Sequence, residues 1–327
     1  MGEQTWLITG GAGYIGSHIA NEFLSNEKQV VIYDSLLNGL PSRVEYLRTT
    51  SQKNVPLIIG DIRDLVLLEE VLRRYKPFGI IHTAALKSVA ESILKPNEYL
   101  EVNYSATTNL LELTNKLKIQ NFIFSSTAAV YGSPKVSTPM KENDETKPVT
   151  AYGESKLLGE REVTKFLQAS HNNGSSLRFF NVIGSAAPEL ADNSKDNLLP
   201  RIMNSIREGT PPIIFGTDYP TPDGTCIRDY IDVRDVAKAH LVIADWPSKL
   251  PDVINLGTGR GTSVRELITK TLSISGNQKV ISVEAKARAG DSAMLCADVS
   301  LFTQVTGFVT KHTLESSITS SIGASYV

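Results

Sequence analysis

The stretch "TWLITGGAGYIGSHIANEF", Thr5 to Phe23, decides the fold. Thr5–Gly10 is an apolar run of strand length, and from Ser17 onward the apolar positions recur with helical spacing. The glycines between them read as Gly11-x-Gly13-x-x-Gly16 or as Gly10-x-x-Gly13-x-x-Gly16. In either register glycine permits a tight turn. It also lets backbone N–H groups approach a pyrophosphate at a helix N-terminus, where the dipole favours an anion. A second apolar run, "QVVIYD", ends at Asp34, 18 residues after Gly16. Strand, glycine turn, helix, strand and acid together mark a dinucleotide site. Asp34 is placed to bond ribose hydroxyls and to repel a 2′-phosphate. Ser35 and Leu36 bring no arginine to hold one, so NAD is expected rather than NADP.

The same alternation continues outward. Apolar runs at 55–62, 79–85, 121–126 and 176–184 read as strands; helical patterns at 65–75, 99–117 and 152–170 separate them. Strands apolar throughout, each followed by a helix, argue for a parallel sheet covered on both faces. The expected class is α/β: a Rossmann-type doubly wound parallel sheet with a smaller mixed α/β C-terminal substrate domain. After residue 184 the chain becomes rich in Pro, Asp, Asn and Gly, as in "SAAPELADNSKDNLLP" and "TDYPTPDGT". A boundary is expected near 180. Residues 1–180 would form the NAD-binding domain, with returning segments near 229–260, and residues 181–327 the substrate domain. The C-terminal "LESSITSSIGASYV" is serine-rich and is expected to be frayed or differently packed.

Composition narrows the function. The 327 residues carry a net charge of −2, so no basic field invites nucleic acid or an anionic membrane. Cys226 and Cys296 fit neither a disulfide framework nor a metal-ligand spacing, and no metal site is expected. No leader pattern opens the chain and no run approaches membrane-spanning length, so a cytoplasmic protein is expected.

Chemistry is carried by "SSTAAVYGS" (125–133) and "TAYGESK" (150–156). Tyr152 and Lys156, four apart, share a helix face. A lysine ammonium beside a phenol lowers the phenol pKa, so Tyr152 is the candidate base. Thr127 stands at the carboxyl end of a strand, the ligand-binding side of an open parallel sheet, and can bridge the phenol and a substrate hydroxyl. Asp61, in "GDIR", ends the third strand, where it either approaches an adenine or caps the next helix.

On "ITGGAGYIGSH", "GDIRD", "AALKSVAES", "NFIFSSTAAVYG", "AYGESK" and "RFFNVIG", the chain resembles the extended short-chain dehydrogenase/reductase family. Within it, "IFGTDYPTPDGTCIRDYIDVRDVA", "NLGTGRGTSV" and "RAGDSAMLCADVS" resemble the members that epimerise UDP-hexoses at C4. The resemblance runs from residue 5 to about residue 300.

It implies a tightly bound NAD and interconversion of UDP-galactose and UDP-glucose. The steps would be transient C4 oxidation, rotation of the 4-keto sugar and re-reduction. UDP-N-acetylhexosamines, or another nucleotide-sugar oxidoreduction, are the alternatives. Relatives that dehydrate the sugar carry an acid after the strand-end hydroxyl; here Ala128 and Ala129 stand there. The implied cofactor contacts are Gly10, Gly13, Tyr14, Ile15, Gly16, Asp34, Ser35, Asn38, Asp61, Ile62, Thr83, Ala84, Ala85, Lys87, Asn103, Ser125, Tyr152, Lys156 and Phe180. On the substrate side, Lys87, Thr127 and Tyr152 would meet the sugar, and Asn181, Asn197 and Leu198 the diphosphate and uracil region. Ile213 and Phe215 would flank uracil, and Asp291 would hold the uridine ribose. Arg228 and Arg288 would neutralise the diphosphate, unless Arg228 pairs with Asp229 or Asp232. Leu295 would set the size of the sugar pocket. A homodimer is implied, paired through helices 99–117 and 152–170.

Overall fold

A computed structural model describes residues 4–134, 138–169, 172–288 and 291–325. From the N-terminus the elements alternate. They are β1 (Thr5–Thr9), α1 (Tyr14–Ser25), β2 (Gln29–Asp34), α2 (Pro41–Ser51), β3 (Leu57–Ile59), α3 (Leu65–Tyr75) and β4 (Gly79–His82). Next come α4 (Val89–Leu94) and α5 (Pro96–Leu100), which runs through a π-helical turn, Glu101–Ser105, into α6 (Ala106–Lys116). Then follow β5 (Asn121–Thr127), α7 (Ala151–Gln168) and β6 (Asn173–Phe179). Beyond Phe179 lie β7 (Asn181–Ile183), α8 (Leu198–Glu208), β8 (Ile213–Phe215), β9 (Ile227–Asp232), α9 (Val233–Ala244) and β10 (Val253–Leu256). The last elements are β11 (Gly261–Ser263), α10 (Val264–Ile274), β12 (Val283–Ala285), β13 (Met294–Leu295), α11 (Ser300–Thr306) and α12 (Leu314–Ser325).

Two compact units emerge. The first comprises the chain up to Val130, Thr150–Arg178 and Val236–Ile254. Its framework is a seven-stranded sheet in the order β10-β6-β5-β4-β1-β2-β3, with parallel pairing from β5 through to β3. Strand order reverses between β1 and β4, and in such sheets ligands bind at the carboxyl ends beside that point. Apart from the short edge strand β3, the strands are largely buried, and Leu7, Val31, Ile80, Phe122 and Phe124 join Leu110 and Val163 in one core. That explains why they read as unbroken apolar runs.

The second unit comprises Tyr131–Val149, Phe179–Asp235 and Asn255–Val327. Segment 131–149 therefore clusters with the C-terminal part, although the sequence reading placed it in the first domain. In this unit β9 pairs with β7, β11 and β13, and β8 pairs with β12 in a separate ribbon. Ile183, Leu199, Ile202, Tyr230, Leu267 and Ile318 form its core. The expected single strand at 176–184 is two. At Phe180, whose N–H donates to the Leu256 carbonyl, the chain stops pairing along the main sheet, and Asn181–Ile183 then pairs with β9.

The serine-rich C-terminus is not frayed up to Ser325: it is α12, and its hydroxyls explain its composition. Ser317 Oγ donates to Asp232 Oδ2 at 2.6 Å. Gly184 N–H donates to Ser321 Oγ at 3.0 Å, and Ser185 N–H to Ser320 Oγ at 3.1 Å. Serines three and four apart present one polar face, and here that face satisfies a buried carboxylate and two loop amides.

Candidate active site

The glycine turn is built for close approach. Gly10, at φ +71°, lies so close to β4's carboxyl end that a Cβ there would sit 2.7 Å from Ala84 N. Gly16 has no room for a Cβ either, which would lie 2.3 Å from the Gly10 carbonyl oxygen. Both registers therefore depend on Gly13 and Gly16, and Gly10 supplies the left-handed turn. Gly13 is the N-cap of α1 and offers no side chain to the first turn, which also contains no acid. Tyr14 and Ile15 open that helix.

Asp34, at the end of β2, is 7% exposed. Its carboxylate accepts the Ala12 N–H at 2.9 Å and the Leu36 N–H at 2.8 Å, so the acid braces the glycine turn. Burial pushes its pKa up; those N–H bonds and the Arg43 charge pull it down. Arg43, which sequence reading passed over, is 1% exposed and donates to the Ala12 carbonyl at 3.2 Å. Ser35 and Asn38 are exposed beside it.

Asp61 does not cap the next helix. Asp64 caps α3 by accepting the Leu67 N–H, while Arg63 grips Asp61 at 2.7 Å and holds its carboxyl below the usual range. Ile62 points into the core at 5% exposure, so only its backbone is available to a ligand. At β4's end Thr83 Oγ1 donates to the Thr9 carbonyl at 2.6 Å; Ala84 and Ala85 follow half-buried, and Lys87 is exposed.

Asn103 sits in the π turn, 1% exposed. Its amide donates to the Leu86 carbonyl at 2.9 Å and to Ser155 Oγ at 3.0 Å, and its Oδ1 accepts the Leu86 N–H at 2.8 Å. Both N–H donors are committed within the protein, so its main work is to tie the loop after β4 to α7.

Ser125 Oγ is buried and has no hydrogen-bond partner among the described residues. A buried hydroxyl left unpaired costs free energy that a ligand can return. The orphaned hydroxyl, the side-chain-free cap of α1 and the carboxylate at β2's end fit a dinucleotide.

Thr127 ends β5, and Tyr152 is the second residue of α7, whose Thr150 cap accepts the Gly153 N–H at 3.1 Å. Thr127 Oγ1 accepts the Ala129 N–H at 3.2 Å, which leaves its own O–H available, and the hydroxyl acts on the Tyr152 phenol by pulling its pKa down. The Tyr152 ring stands edge-on to Tyr99 at 6.4 Å; Tyr99 is fully buried and donates to the Ser88 carbonyl at 2.8 Å.

Here one expectation is corrected. Lys156 does not lower the phenol's pKa: burial pushes Tyr152 up, opposed only by the Thr127 hydroxyl. The Lys156 ammonium lies instead over the Phe124 ring, 4.0 Å from its centroid, and burial pulls its pKa down to about 7. One turn on, buried Glu160 takes Ser126 Oγ at 2.6 Å and a two-point grip from Arg178 at 2.6 and 3.0 Å. The motif search missed this trio because Arg178 comes from β6. Ala128 and Ala129 provide no acid beside Thr127. Among the described residues no group of three His, Cys, Asp or Glu side chains could hold a metal.

In the second unit Arg228 pairs with Asp291 at 3.4 Å, not with Asp229 or Asp232, and also donates to the Ser292 carbonyl at 2.8 Å. The Arg288 guanidinium stacks on Phe215 at 3.9 Å. Asn197 is the N-cap residue of α8, but its amide donates to Asp192 at 2.6 Å and caps nothing; Leu198 opens the helix. Ile213 is 39% exposed, Asn181 is exposed at the start of β7, and Leu295 is half-buried on β13 opposite Arg228. Phe180 packs against Tyr131 at 6.4 Å.

Residues 6–257 match the NAD dependent epimerase/dehydratase family. The UDP-glucose 4-epimerase of Corynebacterium glutamicum is 37% identical over 313 residues, covering 94% of this chain and 91% of that protein. A solved structure of UDP-glucose-4-epimerase from Stenotrophomonas maltophila, with bound NAD and formylated UDP-arabinopyranose, matches at TM-score 0.91. It is 34% identical and covers 99% of this chain and 98% of that one. The UDP-Glc/GlcNAc 4-epimerase of Campylobacter jejuni matches at TM-score 0.85 and 34% identity, over 99% of each chain.

Proposed function

The chain belongs to the NAD dependent epimerase/dehydratase family, and from that premise we propose that it interconverts UDP-galactose and UDP-glucose by inverting C4. The observation that carries this reading is the Thr127 hydroxyl acting on the Tyr152 phenol, with two alanines following Thr127 in the chain. A hydroxyl and a phenol suffice to move one proton, and Ala128 and Ala129 supply no acid to expel a second hydroxyl as water.

NAD, when bound, supplies a hydride acceptor that also gives the hydride back. The chain's own residues do the rest. Gly10, Gly13 and Gly16 let the α1 N-terminus meet a pyrophosphate, Asp34 takes ribose hydroxyls, and Ser125 offers its unpaired hydroxyl. Tyr152 Oη receives the sugar O4 proton, directly or through Thr127 Oγ1, and returns it at the end of the turnover. Because burial holds the phenol protonated in the free chain, its activation falls to the cationic groups brought beside it, bound nicotinamide among them. Lys156 and Tyr99 fix its surroundings. Arg228 and Arg288 take the diphosphate, and Asp291 the uridine ribose.

A second reading adds UDP-N-acetylhexosamines. Leu295 is intermediate in size, and the Campylobacter jejuni relative is named for both sugar types. The chain also forms a homodimer through α6 and α7, and a monomer mass at micromolar concentration would exclude that. It works in the cytoplasm: its two cysteines are free and buried, and among the described residues no helix is long and apolar enough to cross a membrane.

Proton NMR of UDP-galactose with purified protein and no added cofactor tests the main reading. UDP-glucose should appear; no conversion even with NAD⁺ added would reject it. Tyr152→Phe should lower kcat by roughly 10²–10⁴-fold, the usual contribution of a positioned acid–base group. Turnover left intact would remove Tyr152 from the mechanism.

A further inference from the structure

Phe215 carries two guanidinium groups. Arg288 lies 3.9 Å from its ring centroid and Arg201 lies 5.5 Å from the same centroid. The two guanidinium carbons are therefore separated by no more than the sum of those distances. Neither forms an ion pair within 4.0 Å among the described residues. Like charges held this close repel, and Arg288 registers it: its pKa is lowered by burial first and by Arg201 next, against smaller upward pulls from Asp291, Cys226 and Asp196. A ring face partly offsets the loss of water around a guanidinium but not the repulsion between two of them.

Arg201 is on the opening turn of α8. That turn contains no acidic residue, and the Asn197 side chain is turned aside to Asp192. So two unpaired guanidinium groups, one of them carried by the opening turn of an eleven-residue helix, converge around one aromatic ring. Nothing in the sequence motifs singled out Arg201.

We propose that Arg201 is a second phosphate-binding cation that works with Arg288 as a clamp on the substrate's diphosphate. This deepens the UDP-sugar reading and rests on it. A diphosphate carries charge on both phosphates, so two separated guanidinium groups reward it more than a monophosphate. Each planar fork can hold two phosphate oxygens, and the bound anion relieves the repulsion across Phe215. Arg201 thus selects for nucleoside diphosphates and acts on binding rather than on the chemical step.

Titrations of the NAD-loaded protein with UDP, UMP, uridine and inorganic pyrophosphate test the clamp. Arg201→Gln should weaken UDP and pyrophosphate by about tenfold or more, the scale of a charge-assisted bidentate contact, weaken UMP less and leave uridine unchanged. It should raise KM for the UDP-sugar with little change in kcat, and Arg201→Lys should recover part of the lost affinity. UDP bound as tightly by Arg201→Gln as by the parent would overturn the proposal. So would equal losses for UDP and uridine, which indicate a packing defect. If the parent binds pyrophosphate in an Arg201-dependent way but not UDP, the clamp stands and the uridine reading fails.

Discussion

A lysine ammonium buried over an aromatic ring, as Lys156 is over Phe124, loses most of its hydration. It regains only the attraction of the ring face and of the Glu160 carboxylate. Its pKa of about 7 lies below the ordinary value of 10.5. Between those values the unfolded chain binds more protons than the folded one, so stability rises with pH across that window, and the penalty is fully present below it. In the nucleotide-free chain, Lys156→Met should therefore raise Tm at about pH 6, with the gain shrinking towards about pH 10. A gain independent of pH would show that Lys156 stays charged when buried. Residue chemistry was legible where it was local. Tyr152, Lys156 and Thr127 could be picked out because one helix face and one strand end place them. The partners that set their behaviour were not. Phe124, Tyr99 and Arg178 are distant in sequence, and no spacing rule marks an aromatic ring as a seat for an ammonium.

At the scale of elements, α12 shows how a polar composition can be a packing signal. Serine reads as a loop or cap residue because its hydroxyl competes with backbone hydrogen bonds. Ser317, Ser320 and Ser321 instead spend their hydroxyls on groups from other elements, and which groups those are cannot be seen before the chain is folded. Ser317→Ala leaves the Asp232 carboxylate, 1% exposed, without one of its donors. The loss should be about 1–3 kcal/mol in urea denaturation. Thr319→Ala, on the exposed face of the same helix, should stay within about 0.5 kcal/mol. Equal effects would mean that α12 contributes through propensity and not through this face. Strands bounded by a charged residue, such as β2 ending at Asp34, could be read to the residue. The π turn at Glu101–Ser105 could not, because its composition is that of an ordinary helix, and Asn103 reaches Leu86 and Ser155 from it.

For the molecule as a whole, chain order and spatial order part company. The first unit is not finished at Arg178: it takes back Val236–Ile254. That segment supplies most of α9, with Val236, Ala237, Ala239, Leu241 and Ile243 buried, and the first half of the edge strand β10. Ser176 N–H donates to the Asp252 carbonyl at 2.8 Å, and Ser175 Oγ to the Pro251 carbonyl at 2.8 Å, so β6 depends on the returning chain for its outer hydrogen bonds. Lys238 reaches Glu22 on α1 at 3.1 Å. Cutting the chain after Arg178 would leave β6 as an open edge with unpaired backbone groups, the kind of strand that pairs with other chains and aggregates. It would also strip α9 from the core. Fragment 1–178, although it contains the glycine turn, Asp34, Thr127, Tyr152 and Lys156, should therefore be insoluble or lack a cooperative thermal transition. A soluble fragment with native near-ultraviolet circular dichroism and one sharp melt would show that residues 236–254 are an addition to the dinucleotide-binding unit. The expected failure would show that the fold cannot close until more than two thirds of the 327 residues have been synthesised.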